Sequence, residues 1–161
     1  MDSVHLRLVE RRDAATAVHD LVVEFTRIEQ VQIDRHCVRC GSGGHGRPVI
    51  RGGGAWLSLA RAGNYALVGI CTNRPIGVDL ELAGSVVAAD LAAADIDDLL
   101  GREPTNSWVR AEAIGKAHGL GLQGIREEAE VTVVALDLGP DIVAGVAIVG
   151  LAPVKVEVSL S

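Results

Sequence analysis

The stretch YALVGICTNRPIGVDLEL, residues 65–82, holds an apolar run followed by a pair of acids. Its first seven residues are typical of a buried strand. Asp79 and Glu81 then stand two residues apart in GVDLE, residues 77–81. Residues two apart in a strand face the same way, so both carboxylates lie on one side, opposite Val78 and Leu80. The pattern predicts paired carboxylates where a strand leaves the core.

Two interpretations of this carboxylate pair remain open. Unpaired carboxylates at a core edge would repel each other and shift in pKa, and a divalent cation would relieve that repulsion. Mg²⁺ typically binds one or two carboxylates together with phosphate oxygens and waters. An ordinary strand end that reaches solvent carries the same residues.

The composition predicts one small domain. The chain has 161 residues, of which 48% are hydrophobic and only 2% aromatic, so its core must be aliphatic. It lacks both an apolar stretch of about 18 residues and an apolar signal core near its start, which argues against a membrane partner. Three cysteines, an odd number, argue against a disulfide framework, and a cytoplasmic location is expected.

The net charge of −6 is unevenly distributed along the sequence. Between Arg35 and Arg74 there are six arginines and no acid. We call this segment the basic block. It points to an anionic ligand, because arginine offers a fixed pair of donors to phosphate. The alternative is that the segment is a solvated basic loop without a ligand. The acidic balance of the whole chain argues against binding to nucleic acid.

Periodicity and turn signals predict an α+β fold in which a helix is followed by strands, twice over. Helices are predicted at 13–29, at 84–100, and from Thr105 or Asn106 to about His118, where Gly119 would end the helix. Strands are predicted at 31–38, 55–60, 65–73, 131–139, 141–150 and 153–161, and residues 41–54, with seven glycines, as a loop. We expect residues 1–161 to form one domain whose two halves meet near 80–85.

A second motif, WVRAEAIGKAHGLGL at residues 108–122, places Trp108, Glu112 and Lys116 on one helix face. Glu112 could supply a third carboxylate, and Lys116 could neutralise charge that develops on a phosphate. A surface salt bridge beside a partly buried tryptophan is the alternative, worth a few tenths of a kcal/mol.

A third motif is HCVRCGSGGHGRP, residues 36–48. Cys37, Cys40 and His45 have spacing compatible with a zinc site but lack a clear fourth ligand. A glycine-rich loop that cradles phosphate with Arg47 fits this stretch better.

In this order, the motifs resemble those of the 4′-phosphopantetheinyl transferases of the Sfp type. That family carries a CG…HGKP-like stretch, a Ser-His pair, a G-[VI]-D-[VIL]-E motif and W-x-x-K-E-A-x-x-K. The matching residues here are Cys40-Gly41…His45-Gly46-Arg47-Pro48, then SLARAG at 58–63, then Gly77 to Glu81, then Trp108 to Lys116. The resemblance spans roughly residues 30–150.

The resemblance implies a pseudo-twofold fold, each half a helix packed on a small antiparallel sheet, with coenzyme A in the cleft between the halves. It implies that Asp79, Glu81 and Glu112 hold Mg²⁺, facing a shared ion rather than a salt bridge. Glu112 would also act as the base that activates the serine of a carrier protein, and Lys116 would steady the phosphate or leaving group. Arg47 and His45 would contact coenzyme A.

Two positions depart from the family pattern. The Ser-His pair is replaced by Ala60-Arg61, so that Arg61 would take over the contact to the phosphate of coenzyme A, and Ala111 stands in place of a lysine.

Three functions follow as expectations. The first is an enzyme, expected as a monomer, that transfers phosphopantetheine from coenzyme A to an acyl or peptidyl carrier protein with Mg²⁺. The second is a degenerate relative that binds coenzyme A or a carrier protein without catalysis. The third is a small zinc-dependent interaction domain built on the cysteine–histidine motif.

Overall fold

The computed structural model of the chain describes residues 1–96, 103–122 and 130–161. Its strands are β1 (Asp2–Glu10), β2 (Ile33–His36), β3 (Arg47–Ile50), β4 (Trp56–Ala62), β5 (Tyr65–Cys71), β6 (Ile76–Leu82), β7 (Val131–Leu136), β8 (Ile142–Val149) and β9 (Val154–Leu160). Its helices are α1 (Ala14–Thr26), α2 (Ala88–Ala93) and α3 (Pro104–His118), with a short 3₁₀ turn at Arg11–Asp13 before α1. The predicted α+β class is confirmed.

The strands form three sheets. One has the order β4-β5-β1-β9, a second the order β6-β8-β7, and β2 and β3 form a separate hairpin. All paired strands run antiparallel except β1 and β9, which are parallel. Helix α1 packs on β5 and β1, and α3 packs on β6 and β8.

The main core lies between the two larger sheets. Val78 and Leu80 of β6 are buried there with Leu6 and Leu67 of the first sheet. The edges of the two sheets meet where β4 runs beside β6, and the buried hydroxyl of Ser58 accepts a hydrogen bond from the backbone N–H of Val78 at 3.0 Å. This junction fixes where β6 carries its acids.

The helix α3 begins and ends as its sequence predicts. The side chain of Glu103 accepts a hydrogen bond from the backbone N–H of Thr105, with Pro104 in the first turn. The helix ends at Gly119, whose φ of 73° is left-handed and favours glycine. Among the described residues, no helix combines the length and the apolar character needed to cross a bilayer.

Several predicted boundaries are wrong. β1 precedes α1, so the order is not helix first; its alternating Val4, Leu6 and Leu8 are buried. The predicted loop 41–54 contains β3, which pairs with β2. Helix α1 stops at Thr26 because Arg27 turns left-handed, with φ 62°.

The predicted helix 84–100 is reduced to α2, and its last residues, 97–100, lie outside the described chain. The three C-terminal strands exist but divide between two sheets, because β9 joins β1 rather than β7 or β8.

Candidate functional site

One face of β6 lies directly beneath α3 and carries Gly77, Asp79 and Glu81. Gly77 permits the close approach: a Cβ there would lie 2.0 Å from the carbonyl oxygen of Ala113 and 2.4 Å from the backbone nitrogen of Ala117. The prediction that both acids stand where the strand leaves the core is right for Glu81, which is half-buried next to the exposed Leu82. It is wrong for Asp79, which is buried in the middle of β6 beneath the helix.

Asp79 is the most buried acid of the site, with 4% of the residue exposed. Its Oδ1 accepts a hydrogen bond from the Nζ of Lys116 at 2.6 Å. Its Oδ2 is buried and has no hydrogen-bond partner among the described residues. Burial raises the pKa of Asp79 to about 6, with Lys116 opposing the rise and Glu112 and Glu81 adding to it.

The three predicted acids are electrostatically coupled. Burial raises the pKa of Glu81, a hydrogen bond from Ser85 and the charge of Lys116 oppose the rise, and Glu112 adds to it. The hydroxyl of Ser85 donates to Glu81 at 3.4 Å. The structure thus brings the acids of β6 and the helix residues Glu112 and Lys116, more than thirty positions away in the sequence, to one place.

The three carboxylates are nevertheless not arranged as a ready cage for one ion. Among the described residues, only Cys37, Cys40 and His45 place three ligand atoms within 4.8 Å of one another. The ammonium of Lys116 lies against Asp79 instead, so Asp79 does take part in a salt bridge, contrary to the expectation that it faces an ion alone.

A cavity of about 260 Å³ opens beside these residues. Glu112 and Lys116 line it from α3, Arg35 and Arg47 from the β2–β3 hairpin, and Ser58 from β4. Acid, ammonium and two guanidinium groups therefore meet around one space, which is suited to an anion whose reaction needs a base nearby.

Arg47 packs against Trp56 at the wall of this cavity. Its guanidinium carbon lies 4.5 Å from the centre of the Trp56 ring, a cation–π contact. Its Nε is buried without a hydrogen-bond partner among the described residues, and burial lowers the pKa of its guanidinium. An anion at this position would supply the missing acceptor.

A larger cavity of about 630 Å³ adjoins the first and shares Arg35, Arg47 and Pro48 with it. Trp56 and Gly53 are among its other lining residues. The sequence indicated Arg35 only as one member of the basic block and assigned nothing to Trp56. The alternation of side chains along β2 and β4 predicts which residues of each strand share a face. It does not predict which strands lie next to each other and therefore which residues line one cavity.

Two residues expected to bind coenzyme A lie elsewhere. The Nε2 of His45 is 3.3 Å from the Sγ of Cys40, and His45 does not line either cavity. Arg61 is exposed on β4 and is also absent from both linings. The contact of Arg61 to a phosphate of coenzyme A stays a prediction.

A scan of the sequence against models of protein families finds no match. A search of curated proteins finds no matching relative.

Proposed function

We propose that the chain transfers the 4′-phosphopantetheine arm of coenzyme A to a serine of an acyl or peptidyl carrier protein, in the manner of the Sfp-type transferases. The observation that carries this proposal is the meeting of Asp79, Glu81, Glu112 and Lys116 beside two arginines. These are the residues that the resemblance singled out from two separate motifs.

The topology supports a pseudo-twofold arrangement. In chain order, β1, α1, β4 and β5 correspond to β6, α3, β7 and β8. The sheet orders β4-β5-β1 and β7-β8-β6 then match, and all pairings within both are antiparallel. On this interpretation the halves meet at residues 72–75, between β5 and β6, which is earlier than the expected 80–85.

The two cavities suit an extended ligand with a nucleotide at one end. Arg35 and Arg47 lie where the cavities adjoin, so a diphosphate held there would place a nucleoside in the larger cavity beside Trp56. The other end of the ligand would then lie near Glu112 and Lys116. Coenzyme A has this shape and charge.

The donor chemistry of the acids suits Mg²⁺, although the three carboxylates would have to draw closer together to share one ion. The Oδ2 of Asp79 is buried and has no hydrogen-bond partner among the described residues. The raised pKa of Asp79 means that ionising its carboxyl group costs free energy, and a bound cation would lower this cost. Asp79, with Glu81 and Glu112, would hold the ion, and the oxygen-only donor set is the one that Mg²⁺ prefers. When bound, Mg²⁺ neutralises charge on the diphosphate oxygens.

The remaining chemistry belongs to the chain's own side chains. Glu112 accepts the proton of the carrier serine, whose oxygen forms a bond to the β-phosphorus of coenzyme A. The bond from that phosphorus to adenosine 3′,5′-bisphosphate breaks, and Lys116 donates hydrogen bonds to the phosphate as the leaving group departs. Arg47 and Arg35 hold the nucleotide phosphates in position.

Mass spectrometry of an apo carrier protein tests the proposal. After incubation with the chain, coenzyme A and Mg²⁺, the carrier should gain the mass of one phosphopantetheine at its serine. A set of acyl and peptidyl carriers that all keep their mass, at enzyme concentrations equal to theirs, would overturn the proposed transfer.

A binding module without catalysis is the second candidate, and the arrangement of the acids favours it. The three carboxylates do not form a ready cage, and Lys116 is bonded to Asp79. Calorimetry that detects coenzyme A binding while the transfer assay stays silent would select this candidate.

Replacing Arg47 tests the anion site. We expect Arg47→Ala to raise the KM for coenzyme A at least about tenfold with little change in kcat, because a hydrogen bond to a charged group is worth about 1.5–3 kcal/mol and this one acts in binding. Steady-state kinetics with coenzyme A as the varied substrate measure the effect.

Arg51→Ala is the matched control for this experiment. Arg51 belongs to the same basic block, but its guanidinium is exposed and bonded to Asp34 at 2.7 Å. Removing it subtracts the same charge outside both cavities. Equal KM values for the two variants would show that Arg47 has no special role.

A further inference from the structure

The loop of residues 37–46, which joins β2 to β3, contains a cluster that the proposed transfer does not use. His36 and Arg47 are paired across the hairpin, so the loop closes between two hydrogen-bonded strands. Four of its ten residues are glycines, and its Val38 is 45% exposed. Such a loop has almost no apolar core of its own to offset the conformational entropy that is lost when its residues are ordered.

The side chains of Cys37, Cys40 and His45 converge within this loop. One ligand atom from each lies within 4.8 Å of the other two, and the Sγ of Cys40 is 3.3 Å from the Nε2 of His45. Around a tetrahedral zinc ion with Zn–S and Zn–N distances near 2.3 and 2.0 Å, neighbouring ligand atoms are roughly 3.3 to 3.8 Å apart. A small inward movement would therefore bring all three into contact with one ion.

The backbone already has the form of a tight turn around the first sulfur. The amides of Arg39 and Cys40 point to the Sγ of Cys37 as hydrogen-bond donors. The N–H of Gly41 donates to the carbonyl of Cys37 at 2.8 Å, and the N–H of Cys37 donates to the carbonyl of Ser42 at 3.0 Å. These hydrogen bonds hold the two cysteines on one side of the turn.

The donor atoms decide which metal would bind. Two thiols and an imidazole are soft or borderline donors, which favour zinc over magnesium. All three cysteines of the chain are free, and Cys71 lies buried in β5, away from the loop. The cluster is thus a separate site from the acids beneath α3.

We propose that Cys37, Cys40 and His45 bind one Zn²⁺ ion, which closes the loop between β2 and β3 and leaves its fourth position to a water molecule or an external donor. The loop touches the wall of the smaller cavity. Arg35 donates to the carbonyl of Gly46 at 3.1 Å, and a Cβ at Gly119 would lie 2.9 Å from Val38 and 3.3 Å from Arg47. Zinc therefore orders the segment that carries both cavity arginines.

Metal analysis of the full chain, purified with a phosphine reductant and without a histidine tag, tests the site. We expect about one zinc per chain after dialysis. Cobalt in its place should give a thiolate charge-transfer band in the near ultraviolet and visible bands of tetrahedral intensity. A folded chain whose thiols are free by thiol titration, and which takes up neither metal, would overturn the proposal.

Single replacements identify the ligands. Cys37→Ser, Cys40→Ser and His45→Gln should each weaken cobalt binding by more than about 100-fold, since loss of even an outer partner of a ligand costs 10–100-fold. Cys71→Ala and the exposed His19→Gln are the controls and should bind as the parent does. Circular dichroism shows which variants fold; if all three ligand variants fold and bind at parental affinity, the site is wrong.

Proteolysis gives a second readout that needs no variant. Trypsin cleavage after the exposed Arg39 should slow by about 100-fold at a free zinc concentration 100 times the Kd, because zinc binds only the closed loop. Unchanged cleavage would contradict the proposed closure. None of these three experiments contains coenzyme A or a carrier, so failure of the transfer proposal leaves this site untouched.

Discussion

Asp79→Asn is expected to reduce phosphopantetheinyl transfer by about 100- to 1,000-fold or more while making the folded chain more stable at pH 8. The loss of transfer follows because Asp79 would be the most buried donor to the metal and is the partner of Lys116. The gain in stability follows because burial raises the pKa of Asp79 from 3.8 to about 6. Ionising it in the folded state therefore costs about 3 kcal/mol more than in the unfolded chain.

The sign of the pH dependence follows from the same shift. Between pH 3.8 and about 6 the folded chain keeps a proton on Asp79 that the unfolded chain has released. The stability of the parent therefore falls as the pH rises through this window, and the full penalty is present above it. The asparagine variant carries no such penalty, so its advantage should grow from pH 4 to pH 6 and stay level above.

Urea unfolding of parent and variant at pH 4, 5, 6 and 8 measures this difference, with the transfer assay run on the same samples. Asp34→Asn is the matched control, since the hydrogen bond from Arg51 lowers the pKa of Asp34 and its loss should bring no gain in stability at pH 8. Parental transfer by Asp79→Asn would refute the role of Asp79. A variant less stable than the parent at pH 8 would refute the buried-charge account.

Gly77→Ala is expected to have the largest effect on folding, destabilising the chain by about 3 kcal/mol or more. The added Cβ would lie 2.0 Å from the carbonyl oxygen of Ala113 and 2.4 Å from the backbone nitrogen of Ala117. Backbone atoms of a packed helix cannot rotate aside as a side-chain tip can, so α3 would have to move away from β6. That movement would also separate Lys116 from Asp79.

Gly145→Ala provides the comparison for Gly77→Ala. Gly145 lies on β8 directly opposite Asp79 in the strand register, and a Cβ there would lie 3.4 Å from the side chain of Val109 and 3.6 Å from the carbonyl oxygen of Val134, which are ordinary van der Waals distances. We expect a change below about 1 kcal/mol, within the range of a tolerated core adjustment. Urea midpoints that coincide for the two variants would contradict the backbone contact as the cause.

The local elements follow from the sequence wherever a short-range interaction decides them. The apolar run 65–71 predicts β5, and the helix from Thr105 to His118 is predicted almost to its ends because Gly119 adopts the left-handed conformation that stops it. β3 was not predicted, because residues 41–54 are rich in glycine and the strand forms only by pairing with β2, which lies on the other side of the loop 37–46.

The grouping of Asp79, Glu81, Glu112 and Lys116 was predicted from two motifs, and the structure brings these residues together. What the motifs did not contain is the ion pair of Lys116 with Asp79 or the cavity role of Arg35. Each of these depends on which elements pack together, and a spacing along one strand or helix carries no information about a neighbour.

The sequence by itself thus determined most of the strands, the approximate ends of α3 and the sets of acidic, basic and sulfur-bearing residues, because backbone geometry and near neighbours settle these. Only the tertiary structure decided that β9 joins β1, and that Asp79 lies buried beneath α3 at the glycine contact of Gly77. The pKa of Asp79 belongs to this second group, since desolvation and the charges that oppose it arise only once the helix is in place.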